Sequence, residues 1–331
     1  STCPQSKDVA APDYLDAVAA TARWSEEAGC AGMLVYTDNG IADPWLVSQA
    51  AIAATERLAP LVAVQPVYMH PYTAASMVSS LAHLHGRAVH LNMLAGGFRN
   101  DLLALGDDTA HDDRYARTVE YTQILTALLR GETVTHHGRW HRVENLRLAP
   151  ALPPELMPEV LISGSSPAGR AAAAEIGATP IRYPEPLGAA VDAEPPAGGG
   201  VRMGIIARDD ADEAWRVAHE RFPADRSGQV AHAMAMRVSD SHWHHQLAAR
   251  AKAPASQVDL DAEPEPYWLG PFENYQSFCP YLVGSHDRVA AEVARYVERG
   301  TEVFVLDIPP AAEDLGHAGE VFARATATVR A

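Results

Sequence analysis

The sequence is poor in cysteine, with Cys3, Cys30 and Cys279 as the only three among 331 residues. An odd number of widely separated cysteines excludes a disulfide framework, and the absence of Cys-x-x-Cys spacing argues against a zinc site. The 15 histidines include no His-Glu-x-x-His motif. We therefore predict no metal centre.

Basic residues and long apolar runs are also scarce. The 26 Lys and Arg are outnumbered by 42 Asp and Glu, which gives a net charge of −16, and no Lys/Arg-rich run occurs. This balance lacks the positive surface that binds a phosphate backbone, so nucleic acid is excluded as a partner. No apolar run approaches the roughly 18 residues of a membrane span, and the first residues lack the pattern of a signal peptide. We expect a soluble cytoplasmic protein with no membrane partner.

Short apolar runs alternate with amphipathic stretches along the chain, which is typical of parallel strands covered by helices. The predicted strands cover residues 32–36, 61–66, 88–94, 159–164, 179–183, 201–207 and 302–308. The predicted helices cover residues 12–28, 43–56, 71–85, 112–130, 167–176, 211–222, 285–300 and a stretch from about 312. An eighth strand would belong before residue 13, and we expect it to be truncated or else very short. This pattern predicts one α/β domain over residues 1–331, a TIM-like (β/α)8 barrel.

Three insertions interrupt the alternation, and we expect them at the C-terminal face of the barrel. Residues 133–148 predict a hairpin turning at His137 and Gly138, and residues 184–200 are rich in Pro, Gly and Ala, which favours a mobile loop. Residues 223–276 predict a lid with a helix near 240–251, because long loops at this face usually cover the site. Its aromatic residues Trp268, Phe272 and Tyr275 either line the substrate pocket or pack the lid against the barrel.

The segment 162–167 (ISGSSP) joins the end of a predicted strand to the start of a helix. Backbone N–H groups and small hydroxyls at a helix N-terminus favour a bound phosphate. The alternative interpretation of the same residues is an ordinary serine N-cap before proline. Two neighbouring segments strengthen the first interpretation. Residues 92–97 (NMLAGG) end a strand with small side chains, and His111 and Tyr115 lie four apart on one helix face.

In this order the segments resemble the luciferase-like flavin monooxygenases, most closely the alkanesulfonate and nitrilotriacetate/dibenzothiophene-sulfone monooxygenase branches. The supporting segments are 43–47 (DPWLV), 54–59 (ATERLA), 86–92 (GRAVHLN), 141–145 (HRVEN) and 162–166 (ISGSS). The similarity runs from about residue 14 to 166, resumes over 201–216 and returns over 282–308.

The resemblance implies a barrel that binds FMN at the carboxyl ends of its strands. It implies phosphate contacts from Tyr115, Ser165 and Ser166, with His111 nearby. The ring or ribityl contacts that it implies are Thr37, Asp38, Asn92 and Ala95, with Gln65 a further candidate. In that family reduced FMN reacts with O2 to a C4a-peroxyflavin that oxidises a small organic substrate. We expect reduced FMN to come from a separate NAD(P)H:flavin reductase, since no G-x-G-x-x-G follows a predicted strand.

Two departures from the alkanesulfonate branch bear on the substrate. The cysteine of that branch corresponds to Ile41 and its strand histidine to Gly204, while its nearby arginine matches Arg202. A sulfonate substrate is therefore not expected. Arg202 is the first catalytic candidate, with a structural ion pair as the alternative. Cys3 is the second, either lining the pocket or buried as an inert thiol.

Two other functions fit the same pattern. A related enzyme class transfers hydride to or from the deazaflavin F420 without using O2, and a non-catalytic flavin-binding protein would keep the barrel alone.

The helix over residues 45–56 is apolar on more than one stripe, which predicts a homo-oligomer.

Overall fold

The computed structural model describes residues 1–186, 199–238, 247 and 264–330. Its contacts divide the chain into two compact units, Ser1–Pro180 and Ile181–Ala331, which we call the N-terminal and C-terminal units. Both contain parallel strands that alternate with helices, which confirms the α/β class. No helix among the described residues is long and apolar enough to span a bilayer.

The N-terminal unit contains six helices and six strands. In chain order these are α1 (Tyr14–Glu27), β1 (Gly32–Val35), α2 (Pro44–Ala53), β2 (Ala59–Val64), α3 (Pro71–His85), β3 (His90–Leu94), α4 (Arg99–Ala104), α5 (His111–Leu129), β4 (Val134–His137), β5 (Arg142–Leu146), β6 (Val160–Ser163) and α6 (Pro167–Ile176). Strands β1, β2, β3 and β6 pair in this order and all run parallel. The apolar side chains of β2, β3 and β6 and those of α2, α3 and α5 form the main core of the unit.

Local signals explain where several of these helices begin and end. The Asp43 side chain accepts hydrogen bonds from two backbone N–H groups at the start of α2, and Pro44 supplies the first helical residue. Helix α6 begins in the same way at Ser166, before Pro167. It ends at Gly177, whose φ of 64° is a left-handed conformation that glycine adopts without strain. Such short-range signals made these bounds predictable from the sequence.

Residues 1–3 run beside β1. The backbone N–H of Leu34 donates to Ser1 O (2.9 Å), and the N–H of Cys3 donates to Leu34 O (2.8 Å). Thr2 and Leu34 form a parallel bridge rather than a full strand. This bridge occupies the place in the alternation where we expected a truncated or very short strand.

Strands β4 and β5 form the predicted hairpin, and Glu120 of α5 binds its turn. The buried Glu120 carboxylate accepts hydrogen bonds from the backbone N–H groups of Arg139 (3.0 Å), Trp140 (3.1 Å) and His141 (2.6 Å). The His141 ring nitrogen Nδ1 lies 3.0 Å from the same carboxylate. A Cβ on Gly138 would lie 2.3 Å from the Glu120 carboxylate, so the turn needs glycine there. The hairpin is therefore bound to α5 by one buried side chain.

The C-terminal unit is built around strand β8. Its elements are β7 (Thr179–Arg182), whose last two residues belong to this unit, β8 (Gly199–Arg208), α7 (Ala211–Arg221), α8 (Arg226–Val238), β9 (Tyr267–Trp268), α9 (Gly270–Glu273), β10 (Tyr281–Ser285), α10 (His286–Glu298), β11 (Thr301–Leu306) and α11 (Ala312–Arg330). Strands β7, β10 and β11 all pair parallel to β8, and β9 pairs antiparallel to β10.

The structure contains five elements that the sequence did not predict. Helices α4, α8 and α9 lie outside the predicted helices, and β9 and β10 were not among the predicted strands. The predicted helix near 240–251 lies outside the described residues except for Leu247, which is buried. Residues 187–198 of the predicted mobile loop also lie outside them.

Candidate active site

The parallel strands of the N-terminal unit end at one edge of its sheet, and the predicted flavin contacts follow them there. Thr37 and Asp38 follow β1, and Gln65 follows β2. Asn92 lies in β3 and Ala95 comes directly after it. Ligands of open α/β sheets and barrels bind at the carboxyl ends of the strands. The fold thus brings these five residues to the edge where a ligand is expected.

A hydrogen bond joins two of the strand ends. The Ser163 hydroxyl at the end of β6 donates to Asn92 Oδ1 at 3.0 Å. Asn92 is buried, so this contact satisfies one of its polar atoms and fixes the orientation of its amide. The contact joins the polar carboxyl ends of β3 and β6 at this edge of the sheet.

A cavity of about 450 Å³ opens beside β1 and β2. It is large enough for a small-molecule ligand or part of a cofactor. Thr37, Asp38 and Gln65 line it, together with Ile41 at the position of the missing cysteine. Its other lining residues are Asn39, Ala42, Asp43, Pro44, Trp45, Ala63, Val64, Tyr68, Met69 and Leu105.

Tyr68 is a cavity residue that sequence reasoning missed. Its hydroxyl donates to Asn39 Oδ1 at 2.6 Å, and the Asn39 amide donates to the backbone oxygen of Asp101. Burial, followed by the carboxylates of Asp38 and Asp101, raises the pKa of Tyr68 to about 12. Tyr68 therefore remains a neutral hydroxyl in the wall of the cavity. A lone tyrosine in a turn carries no sequence signal that would have identified it.

Tyr115 and Gly164 form a crowded corner at the start of α6. The Tyr115 hydroxyl lies 3.5 Å from Ser163 O, and a Cβ added to Gly164 would lie only 2.2 Å from that hydroxyl. The rings of His111 and Tyr115 meet edge to face at 5.2 Å. The structure therefore brings Tyr115, His111 and the Gly-Ser-Ser turn together, as the sequence predicted.

Ser166 serves as the N-cap of α6 in this corner. Its hydroxyl accepts a hydrogen bond from the backbone N–H of Gly169 at 3.1 Å. The local alternative considered for this motif, a serine N-cap before proline, is thus present. Pro167 has no N–H and the Gly169 N–H is already bonded to Ser166, so the helix dipole is the feature at this end of α6 that favours an anion.

Arg202 of the C-terminal unit forms an ion pair with Asp307. Its Nη2 atom lies 3.2 Å from Asp307 Oδ1, and both side chains are mostly buried. Sequence reasoning missed Asp307, because 105 residues separate it from its partner. The register of β8 and β11, which pairs Arg202 with Val305, brings them together.

Cys3 lies in a small apolar cluster with Val18, Met33 and Val35. Its side chain is buried, and burial raises the pKa of the Cys3 thiol to about 12, against a weaker effect of the Tyr14 hydroxyl. The thiol is therefore uncharged at neutral pH and a poor nucleophile. Its catalytic role stays a prediction.

The three predicted pocket aromatics differ in environment. Phe272 is completely buried in the core of the C-terminal unit, while Tyr275 is 39% exposed. Trp268 packs edge to face against Trp215 of α7 at 5.7 Å and against Phe222 at 6.2 Å. These contacts favour packing within the unit for Trp268 and Phe272.

In residues 1–186, 199–238, 247 and 264–330, no group of three or more His, Cys, Asp and Glu side chains is arranged to hold a metal ion.

A family model for luciferase-like monooxygenases matches residues 1–302. The chain belongs to this family. A relative, the 4-(gamma-L-glutamylamino)butanoyl-[BtrI acyl-carrier protein] monooxygenase BtrO of Niallia circulans, is 31% identical over 323 residues, which cover 93% of this chain and 91% of the relative. The predicted enzyme class, a luciferase-like monooxygenase, is thereby confirmed.

Two solved structures share the fold of this family member. Monooxygenase RslO1 from Streptomyces bottropensis is similar with a TM-score of 0.67 and 18% identity, over 98% of this chain and 96% of that one. The long-chain alkane monooxygenase LadA is similar with a TM-score of 0.71 and 17% identity, over 96% and 86%. These similarities confirm the predicted TIM-like α/β fold class.

Proposed function

We propose that this family member is a two-component monooxygenase that receives reduced FMN from a separate NAD(P)H:flavin reductase and uses it with O2 to oxidise a small organic substrate. The observation that carries the proposal is the corner of Tyr115 and Gly164 at the start of α6, next to the polar strand-end edge. A glycine that tolerates no Cβ beside a helix N-terminus is a fitting cradle for the FMN phosphate.

The residues divide into two groups in this proposal. Tyr115, Ser165 and Ser166 would hold the phosphate with His111 beside them. Thr37, Asp38, Gln65, Asn92 and Ala95 would contact the ring or ribityl chain. When bound, reduced FMN supplies the two electrons that activate O2 for transfer of one oxygen atom. The protein orients the cofactor and excludes water from it.

The relative BtrO acts on an acyl group carried by an acyl-carrier protein, as its name states. We therefore include carrier-bound acyl groups with free small molecules among the proposed substrates. The cavity lined by Ile41, Trp45, Met69 and Leu105 presents apolar surface suited to an acyl chain.

Formation of an oxygenated product tests the proposal, because free reduced FMN also consumes O2 without an enzyme. With FMN, NADH and an added flavin reductase, we expect the protein to add one oxygen atom from O2 to a small organic substrate, free or carrier-bound. The reductase alone is the control. Without it, the protein should not oxidise NADH at a comparable rate, and such oxidation would contradict the two-component proposal. Anaerobic reduction of F420 by a substrate would instead support the hydride-transfer alternative.

We also propose that the exposed faces of α2 and α3 pair two copies of the chain. Leu46 of α2 is 73% exposed and Leu84 of α3 is 72% exposed. A hydrogen bond between His85 Nε2 and Gln49 Oε1 (3.1 Å) joins the two helices, so their apolar side chains form one surface.

Leu46→Glu is therefore expected to shift the protein from dimer to monomer. Burying one leucine contributes about 1.5–3 kcal/mol, and twofold symmetry counts it twice, so the dimer should weaken at least about 100-fold. Light scattering at micromolar concentration measures the change. Leu15→Glu, at a leucine of α1 that is 59% exposed, is the matched control and should leave the mass unchanged. A wild-type monomer would refute the proposal.

A further inference from the structure

The cavity beside β1 and β2 in the N-terminal unit has an acidic polar lining. Among the described residues that line it, only Asp38 and Asp43 carry a charged side chain, and none is Lys, Arg or His. The Asp43 carboxylate is engaged at the start of α2, where its Oδ1 accepts from the N–H groups of Trp45 (2.9 Å) and Leu46 (3.2 Å). Asp38 is therefore the carboxylate that the cavity offers to a ligand.

The Asp38 side chain is oriented by its own turn, directly after β1. Its Oδ1 accepts from the backbone N–H of Gly40 at 2.8 Å, as the side chains of aspartates in turns commonly do. The other oxygen, Oδ2, has no hydrogen-bond partner among the described residues. The turn thus holds the carboxylate in place and leaves one of its oxygens for a bound molecule.

Tyr68 adds a second acceptor to the lining. Its hydroxyl hydrogen is used in the bond to Asn39 Oδ1 at 2.6 Å, and the Asn39 amide is anchored in turn on Asp101 O at 3.0 Å. A neutral phenol has one hydrogen to donate, so the Tyr68 oxygen can only accept from a ligand. The carboxylates of Asp38 and Asp101 both act on this phenol, which places it close to the free Asp38 oxygen.

The negative charge at this place is not neutralised by the residues that the structure describes. Burial and then the Asp38 charge raise the pKa of Asp101, and no basic group among those residues opposes the shift. A bound cation would relieve this repulsion, whereas a sulfonate or carboxylate would increase it. The cavity therefore selects against anions and favours a positively charged group.

The remaining lining and the size of the cavity indicate an organic cation rather than a metal ion. Ile41, Trp45, Met69 and Leu105 present apolar surface, and the volume of about 450 Å³ accommodates a chain of several carbon atoms. A metal ion would need several protein ligands, and the described part of the chain holds no group of three or more His, Cys, Asp and Glu side chains arranged for one.

We propose that the substrate of the proposed oxidation carries a primary ammonium group, which Asp38 Oδ2 and Tyr68 Oη bind in this cavity. Its carbon chain then contacts the apolar lining. An ammonium group has three N–H donors and no acceptor, which matches a carboxylate oxygen and a phenol oxygen that can only accept. The inference rests on the proposed function, and it assigns Asp38 a substrate contact besides its proposed flavin contact. Tyr68 is a specificity-determining residue in this assignment.

Three probes that share a five-carbon chain and differ in head group test the proposal, namely pentylammonium, pentan-1-ol and pentanoate. Their affinities for the flavin-free protein are measured by ligand-observed NMR titration at about 0.15 M salt, which screens long-range attraction. Because hydrogen bonds to charged groups are the stronger ones, pentylammonium should bind at least about tenfold more tightly than pentan-1-ol, and pentanoate more weakly than either. Equal affinities, or a preference for pentanoate, would overturn the proposal.

Variants locate the binding site of the probe. Asp38→Asn should remove the preference for pentylammonium and keep the affinity for pentan-1-ol within about threefold, while Tyr68→Phe should weaken pentylammonium binding about threefold to tenfold. Glu27→Gln is the matched control, because Glu27 is an exposed residue at the end of α1 and its change removes one negative charge outside the cavity. If Glu27→Gln reduced the preference as much as Asp38→Asn, general attraction by the net charge of −16 would explain it and the proposal would fail.

Turnover at saturating FMN separates this inference from the proposed function. Absence of an oxygenated product with every substrate would overturn the proposed function, whereas the selective binding of pentylammonium would still stand. Oxygenation of a substrate that lacks an amino group, at the same KM in the wild type and in Asp38→Asn, would overturn the inference alone. A KM that rises at least about tenfold in Asp38→Asn for an amine substrate only would support both.

Discussion

Replacing Gly164 with alanine is expected to reduce FMN affinity at least about 100-fold. The new methyl group would lie 2.2 Å from the Tyr115 hydroxyl and 2.9 Å from its Cζ atom, so the tyrosine must move. Its displacement would remove the contacts that we assign to Tyr115 and the adjacent turn. Two hydrogen bonds to a charged phosphate contribute about 3–6 kcal/mol together, and each 1.4 kcal/mol is tenfold in affinity. Flavin titration by fluorescence quenching measures the loss.

Gly316→Ala is the control for this substitution. A Cβ on Gly316 meets nothing within 4 Å, and the residue lies in α11. Alanine there should leave FMN affinity unchanged and stabilise the helix by about 0.5–1 kcal/mol. If Gly164→Ala bound FMN as tightly as the wild type, the phosphate would not lie in this corner.

Replacing Glu120 with glutamine is expected to lower the free energy of unfolding by about 1.5–3 kcal/mol, the usual contribution of hydrogen bonds to a charged group, because a neutral amide replaces the carboxylate. The amide presents a single acceptor oxygen where the carboxylate receives N–H groups of Arg139, Trp140 and His141. Its NH2 group would face donors. Urea unfolding at pH 7 measures the difference. Glu144→Gln is the control, because Glu144 is 58% exposed and pairs with His137 on the surface, so its change should stay within about 0.5 kcal/mol.

The stabilisation by Glu120 should depend on pH in a defined direction. Burial acts to raise the pKa of Glu120, but the hydrogen bonds from His141, Trp140 and Arg139 outweigh it and leave the pKa lowered from 4.5. A depressed folded-state pKa gives stabilisation that is complete above the unfolded value and is lost as the pH falls through the folded value. The difference between wild type and Glu120→Gln should therefore be constant near neutral pH and shrink below about pH 4.5. A difference that grows on acidification would contradict this assignment.

The two predictions concern different parts of the N-terminal unit, and their readouts separate them. Glu120→Gln alters stability through the hairpin β4–β5, whereas Gly164→Ala alters ligand affinity through the start of α6. Glu120 and Tyr115 both belong to α5, so this helix connects the hairpin to the corner of Tyr115 and Gly164. If the Glu120→Gln variant were fully folded but bound FMN more weakly than the wild type, helix α5 would transmit strain from the hairpin to the start of α6.

The sequence alone determined most helices, most strands and the class of the fold. These elements are marked by signals that act over a few residues and are therefore visible in the sequence. The signals are apolar periodicity, an Asp or Ser before proline and a glycine at a helix end. The segment 162–167 and the pair His111 and Tyr115 were predictable for the same reason, since each has a local meaning at a helix start. The family similarity then joined these segments into one site.

The tertiary structure decided which distant side chains meet. Asp307 lies beside Arg202 because β8 and β11 pair in one register, and Tyr281 reaches Asp307 because Gly204 has no side chain. Helix α4 escaped prediction because it is only six residues long, and α8 because it lies in the segment 223–276 that we predicted as a lid. A shift of one residue in strand register would exchange the faces of these side chains while leaving the local sequence pattern unchanged. Contacts between strands that are far apart in the chain therefore depend on tertiary packing. They cannot be predicted from the residues within each strand.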